Sequence, residues 1–335
     1  MTSIHAKINL TTPAKRRVVF VVYPNFVLLD LSGPLQVFTH AQADGADTPA
    51  YHPVIVSLEG GSVASNTVFP IPTTSIEELL DEDVHTLIVV GGDGAYTAMR
   101  DPALIKAMSH IANRAHRACS VCSGALVLAA TGLLDGRRAV THWEDCDNLA
   151  RLFPKVLVEE DPIFVQDGRF WTSAGVTAGI DMALAIVAED LGRPAALRMA
   201  QSIIVPIVRS GGQSQFSPAL GQQIRDASGR FEALHAWIAD NLADDLTVDT
   251  LADVAGMSAR NFSRLYTSEM GTTPAKAVEV LRTDAARDLL ETTDLGVKEI
   301  AARSGFRDDE RLRRAFERQL KTSPSEYRSR FQGPV

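Results

Sequence analysis

Along the first two hundred residues two patterns of apolar positions alternate. Arg17–Tyr23 (RVVFVVY) is an unbroken, largely β-branched run, as in a strand covered on both faces. Tyr51–Ser57, Thr86–Val90 and Ala118–Val121 read as further strands, and Phe164–Val165 with Phe170–Thr172 as a hairpin around Asp167-Gly168. Between them Leu31–Ala43, Pro102–Arg117, Ala125–Ala130 and Val176–Ile186 have helical spacing. Such alternation predicts an α/β domain with a doubly wound parallel sheet and helices on both faces. Pro206–Ser228, rich in Gly, Gln and Ser, breaks the pattern and reads as a linker. The chain beyond it reads as all-α. The predicted boundaries are therefore 16–205, 206–228 and 229–335.

The C-terminal part contains one grammar twice. In Thr247–Tyr266 (TVDTLADVAGMSARNFSRLY), Thr247 caps a helix whose apolar face is Leu251, Ala252, Val254 and Ala255. Gly256 ends that helix, Met257 turns inward, and Ser258 caps a second helix with Phe262 and Leu265 inside. Gly296–Phe316 (GVKEIAARSGFRDDERLRRAF) repeats the scheme. Val297, Ile300 and Ala301 form the first face, Gly305 the turn, Phe306 the plug and Asp308 or Asp309 the cap. Leu312, Phe316 and Leu320 then point inward, and Arg311, Arg313, Arg314 and Arg318 outward. Pro274–Leu290 has the period of a connecting helix (Val278, Leu281, Ala285, Leu289). Two helix-turn-helix units on a rigid connector can place two helices in successive major grooves, about 34 Å apart. Arg260, Asn261, Ser263 and Arg264 of the first unit and Arg307, Arg311, Arg313 and Arg314 of the second are the candidate DNA contacts, to phosphates and to guanine edges.

Composition changes this picture only when divided along the chain. The 335 residues are 45% apolar and 22% charged, which excludes a disordered or fibrous chain. No run of about 18 apolar residues suggests a membrane span, and no secretory leader is visible, so a cytoplasmic, nucleoid-associated protein is expected. Three cysteines argue against a disulfide scaffold. A net charge of −8 argues mildly against DNA. Residues 1–229 carry −6 of it, however, and residues 296–335 are net +4.

In the first half, Ser120-Val121-Cys122-Ser123-Gly124 joins a strand to a helix through small residues. A nucleophile elbow needs that spacing, and a helix N-terminus lowers a thiol's pKa. His142, after the next strand, is a candidate base, and Gly91-Gly92 a candidate oxyanion hole. Asp30, in Leu29–Pro34, is a candidate acid toward the thiol or a ligand. Equally, Cys122 can be a small buried hydrophobe and His142 a satisfied structural histidine. Cys119 and Cys122 form C-x-x-C, but Cys119 belongs to the strand and no second pair exists, so neither metal nor cofactor is expected.

The C-terminal hundred residues resemble the AraC/XylS DNA-binding domain, most specifically Ile300–Phe331 (IAARSGFRDDERLRRAFERQLKTSPSEYRSRF). Lys321 departs from it where that family often has glycine. Residues 16–205 resemble the PfpI-like branch of the flavodoxin-like, class I glutamine amidotransferase superfold, through Ala118–Trp143 and Asp30–Phe38 (DLSGPLQVF), and the linker segment Arg209–Phe216 (RSGGQSQF) also matches. Together the two halves resemble GlxA-type AraC-family regulators. That resemblance implies a transcription regulator with an N-terminal sensor that also dimerises. It places Cys122, His142 and Asp30 at the superfold's active-site positions, in a pocket that in the regulators serves as a sensor. The residues expected around a small-molecule effector are Asp30, Gly91, Gly92, Cys122, Ser123, His142 and Trp143. Two alternatives stay open: a cysteine-dependent hydratase, amidase or glyoxalase-like enzyme, and a thiol redox sensor, both using Cys122.

Overall fold

The computed structural model describes residues 15–205, 215, 226, 229–320 and 322–331. Apart from Gln215 and Asp226, the stretch read as a linker lies outside these residues, as does Lys321. The first half builds an eight-stranded sheet. Its strands are β1 (Arg16–Val21), β2 (Tyr51–Ser57), β3 (Gly61–Ala64), β4 (Pro70–Ser75), β5 (Thr86–Val89), β6 (Arg117–Val121), β9 (Phe164–Asp167) and β10 (Phe170–Ser173), with the short pair β7 (Arg138–Ala139) and β8 (Leu157–Val158) apart from it. The order is β3-β4-β2-β1-β5-β6-β10-β9, parallel throughout except for the two edge strands, β3 and β9.

The run in β1 is unbroken because each face has its own cover. Val19 and Val21 pack with α2 (Ala95–Ala98), α3 (Pro102–Arg114) and α4 (Gly124–Ala130). Val18 and Phe20 pack with α1 (Leu28–His40), α6 (Thr177–Leu191) and α7 (Arg193–Ser202). One further helix, α5 (Cys146–Leu152), follows His142. The Ser-Gly-Pro step in α1 lets it lie close to α6, since a Cβ on Gly33 would come within 2.8 Å of Ile180. Sequence patterning places α1 three residues late, misses the β3–β4 hairpin and α7, and carries α3 too far. Arg117, read there as helical, is the first residue of β6.

The second half comprises α8 (Glu232–Asp240), α9 (Val248–Val254), α10 (Ala259–Met270), α11 (Pro274–Thr292), α12 (Val297–Arg303), α13 (Asp309–Leu320) and α14 (Pro324–Phe331). The pairs α9–α10 and α12–α13 are the two helix-turn-helix units, with Gly256 and Gly305 at left-handed φ in their turns. Thr247 caps α9 by accepting from the Thr250 N–H, and Asp308, rather than Asp309, accepts from the Arg311 N–H ahead of α13. Ser258 stands at the N-cap of α10, but its hydroxyl makes no capping bond. Val254, expected inside, is 42% exposed. Leu281, Ala285 and Leu289 are only half-buried, because α11 turns a different face to each unit and buries Ala277 and Val278, then Ala286 and Leu290.

Arg117 shows what the sheet core demands of a charge. It is 1% exposed and forks onto both carboxylate oxygens of Asp190 at 3.0 Å, with a third bond to Glu189 at 2.9 Å. Burial alone would raise the Asp190 carboxyl; the hydrogen bonds and charge of Arg117 reverse this and hold it below its ordinary value. Arg117→Ala is expected to lower unfolding free energy by about 3–5 kcal/mol in urea titrations, since it strands a buried carboxylate. Replacing Arg117 and Asp190 together by apolar residues should cost less. Asp190's folded pKa is depressed, so its contribution is full above the unfolded value of about 3.9 and fades as pH falls through the lower folded one.

Candidate functional site

Sites in parallel α/β sheets form where strands end in tight turns. Here β5, β6 and β10 end side by side, and the turn after β6 carries Cys122. Its backbone is left-handed, with φ 56°, a conformation that costs an L-residue roughly 1–3 kcal/mol. The surroundings over-determine it. The Cys122 N–H donates to Ser173 O at 2.9 Å, and its carbonyl accepts from Thr141 Oγ1 at 2.9 Å. Three glycines make room. A Cβ on Gly175 would stand 2.3 Å from Cys122 Cβ, one on Gly91 2.6 Å from the same atom, and one on Gly124 2.3 Å from Val89 O. The predicted elbow is therefore present.

Asp30 approaches from the first turn of α1. It is fully buried, and Oδ1 accepts the Val176 N–H at 2.5 Å. Oδ2 is buried without a hydrogen-bond partner among the described residues. Val176 itself has φ 50° and ψ −116°, which is strained for a β-branched residue. Burial pushes the Asp30 carboxyl up to about 6, against the lowering effects of the Val176 N–H, the Cys122 thiol and His142. Burial, and then the Asp30 charge, also raise the Cys122 thiol well above its ordinary value, outweighing the Ser123 N–H. The lowered thiol pKa expected from the helix N-terminus is thus reversed: at 8% exposure the desolvation of the sulfur is the larger effect.

Other expected residues are arranged differently. The Gly92 N–H donates to Ser123 Oγ at 2.8 Å, and that hydroxyl donates back to Gly92 O at 3.0 Å. The pair ties the end of β5 to the elbow, so the Gly92 donor is committed and Ser123 is buried rather than turned to a ligand. His142 points Nδ1 toward Glu144 at 3.6 Å and lies against the half-exposed Trp143, ring centroids 5.5 Å apart; it makes no hydrogen bond to Cys122 among the described residues. Sequence reasoning missed Gly175 and Val176, although the small-residue run Ser173-Ala174-Gly175 between a strand and a helix has the look of a second tight turn. It also missed Gln215, whose Nε2 donates to Thr141 O at 2.8 Å and Glu160 O at 3.1 Å, and whose N–H donates to Asp161 O at 2.8 Å. Asp161 in turn pairs at 2.8 Å with Arg287, a buried residue of α11 stacked on Tyr327. Among the described residues no cluster of three or more His, Cys, Asp or Glu is set to hold a metal, and no helix is long and apolar enough to cross a membrane.

On the helical side, Arg260, Asn261 and Arg264 of α10 are exposed and Ser263 is half-buried. Arg307, Arg311, Arg313 and Arg314 stand out from and just before α13.

Residues 16–189, just over half of the chain, match the DJ-1/PfpI family, and residues 251–330 match a helix-turn-helix domain. The chain is 30% identical over 322 residues to the HTH-type transcriptional regulator GlxA of Rhizobium meliloti (strain 1021), covering 94% of this chain and 96% of that protein. The chain belongs to the HTH-type transcriptional regulators that carry a DJ-1/PfpI domain. It is thus a DNA-binding regulator of AraC type with the DJ-1/PfpI domain as its sensor. A ThiJ/PfpI family protein from Pseudomonas syringae shares the fold at a TM-score of 0.54 and 27% identity, covering 77% of this chain and 98% of that one. An isonitrile hydratase from Pseudomonas putida is 36% identical over 174 residues, 52% of this chain and 71% of that enzyme.

The Asp30–Cys122 pair can be tested directly. Asp30→Asn removes the carboxylate that raises the thiol, so the apparent pKa for iodoacetamide alkylation of Cys122 should fall and labelling at pH 8 should speed up. An unchanged pH profile would mean the two groups are not coupled.

Proposed function

We propose that this regulator binds a small effector beside Asp30 and Cys122, works as a homodimer in the cytoplasm, and reads promoter DNA with α10 and α13. The observation that carries the DNA reading is the pair of arginine-bearing helices, α10 and α13, exposed on one connector. The effector reading is supported by the Asp30 oxygen left without a partner beside a strained elbow, since a buried lone acceptor is costly unless something else satisfies it. The homodimer is supported by the resemblance to regulators whose sensor domain dimerises and by the usual match between two-fold proteins and two-fold operators. Mobility shift with the fragment upstream of its own gene tests the DNA reading. Saturable binding that weakens steeply with salt is expected. Arg311→Ala or Arg314→Ala should weaken it without lowering the melting temperature.

The contact from Gln215 to Thr141 and from Asp161 to Arg287 supports a route between the domains. Thr141 holds the Cys122 carbonyl, so a ligand that shifts the elbow also shifts the segment that grips the connector helix. Such a ligand changes DNA binding only through different affinity for the two arrangements. A thermal-shift screen of metabolites on the full chain should yield a compound whose stabilisation is lost in Asp30→Asn. Asp161→Asn should keep that stabilisation and lose the compound's effect on operator affinity.

Thiol-dependent turnover is the second reading, favoured by the presence of Cys122 and His142 and by the likeness to a hydratase. The raised thiol, the committed Gly92 donor and the turn of His142 toward Glu144 weigh against it. Cys122→Ala that keeps effector-dependent DNA binding, with no thiol-dependent turnover of nitriles, isonitriles or amides, would exclude it.

A further inference from the structure

The two helix-turn-helix units have separate apolar cores. One is built on Phe231, Phe262 and Tyr266, the other on Ile300, Leu312 and Phe316, and no residue belongs to both. Connector α11 supplies Ala277 and Val278 to the first and Ala286 and Leu290 to the second. Apolar contact is non-directional. Two such cores strung on one helix would not by themselves fix the angle at which the second unit stands to the first.

The stretch of α11 between the cores carries Glu279, Arg282 and Thr283, each bonded to a neighbouring element or turn. Glu279 accepts from Arg318 at 2.5 Å and from Gln319 at 3.3 Å, both in the last turn of α13, and from Lys276 on its own helix at 2.8 Å. Gln319 also donates to Thr283 Oγ1 at 3.0 Å. Burial would raise the Glu279 carboxyl; Lys276 and Arg318 more than offset this and keep it below its ordinary value, so it stays ionised. The opposite end of the second unit is fixed by a close approach. Arg282 donates to Leu242 O at 2.9 Å and to Asp244 O at 2.6 Å, and a Cβ on Gly305 would stand 1.8 Å from Leu242 O. Gly305 therefore serves both its own turn and the docking of the two units.

We propose that Glu279 is a positioning residue that sets the distance and angle between the two recognition helices, and with them the operator spacing that the protein prefers. Gly305 anchors the segment leading into α13, and Glu279 pins the far end of the helix. Hydrogen bonds from the two donors of α13, Arg318 and Gln319, have direction, which the apolar cores lack. Arg318 is held by Glu279, so its part in recognition is orientation of α13 rather than contact with a phosphate.

The experiment uses the full-length protein and a duplex selected by the wild type from a randomised pool. Variants of that duplex carry one or two base pairs added or removed between the two contacted segments. Wild type is expected to lose about tenfold in affinity per displaced step, the scale of a mismatched base pair. Glu279→Ala should bind the selected duplex more weakly and lose most of the discrimination between spacings. Arg318→Ala should do the same from the other side of the contact. Glu279→Gln, which keeps an acceptor for Gln319 without the charge, should fall between; if Glu279→Ala does not fold, the comparison of Glu279→Gln with wild type decides. Full spacing discrimination in these variants, at whatever affinity, would overturn the proposal. So would tighter binding at every spacing alike, which would make Glu279 a mask over Arg318 and nothing more.

Discussion

The sensor half depends on one residue held in a left-handed turn. Cys122 can take φ 56° only because its N–H and carbonyl are both fixed and because Gly91, Gly124 and Gly175 present no Cβ to it or to the strand beside it. The rest of the site follows from that constraint. Gly175 packs against Cys122 in the turn after β10, and the strained Val176 next to it donates its N–H to Asp30. With Asp30 buried under the thiol, both groups shift toward their protonated forms. A site built this way is poorly suited to nucleophilic chemistry, because the protonated thiol is a poor nucleophile.

The same logic governs the DNA-binding half. A missing side chain at Gly305 lets the backbone of one unit meet Leu242 of the other, and polar groups on α11 supply the direction that two independent apolar cores cannot. In both halves close packing sets the distance and hydrogen bonds set the orientation. Arg287 lies where the two halves touch. Its buried guanidinium is stacked on Tyr327 and reaches Asp161, so the pose of α11 is tied to the segment that Gln215 fastens to Thr141.

The sequence already showed the parts of this architecture that repeat or alternate. Unbroken β-branched runs separated by helical spacing revealed the doubly wound sheet, and the recurrence of an apolar face, a glycine and a cap revealed both helix-turn-helix units. The small residues around Cys122 revealed the elbow. What stayed hidden depends on contacts far apart in the chain. Nothing local in Arg117 says that it is a strand residue, because its placement is decided by Asp190, 73 positions on. A helix N-terminus is visible in sequence and desolvation is not, so sequence alone points the thiol's pKa in the wrong direction. Gly92 reads as a free donor in the sequence because its partner, Ser123, lies 31 residues away.

Charge completes the account. Arg313 and Arg314 each pair with a carboxylate one helical turn back, Asp309 at 3.0 Å and Glu310 at 2.5 Å, and Arg311 lies 3.7 Å from Asp308. Pairs this exposed are each worth only about 0.2–0.5 kcal/mol, so phosphates can displace the carboxylates at little cost. If α13 contacts DNA as proposed, these pairs lay the arginines back along the helix until DNA arrives and blunt its net attraction for any polyanion. The acidic residues of the first turn therefore do not contradict a DNA-binding helix. On the proposed reading they would reduce the sequence-independent part of its affinity and leave more of the discrimination to base contacts and to the spacing of the two units.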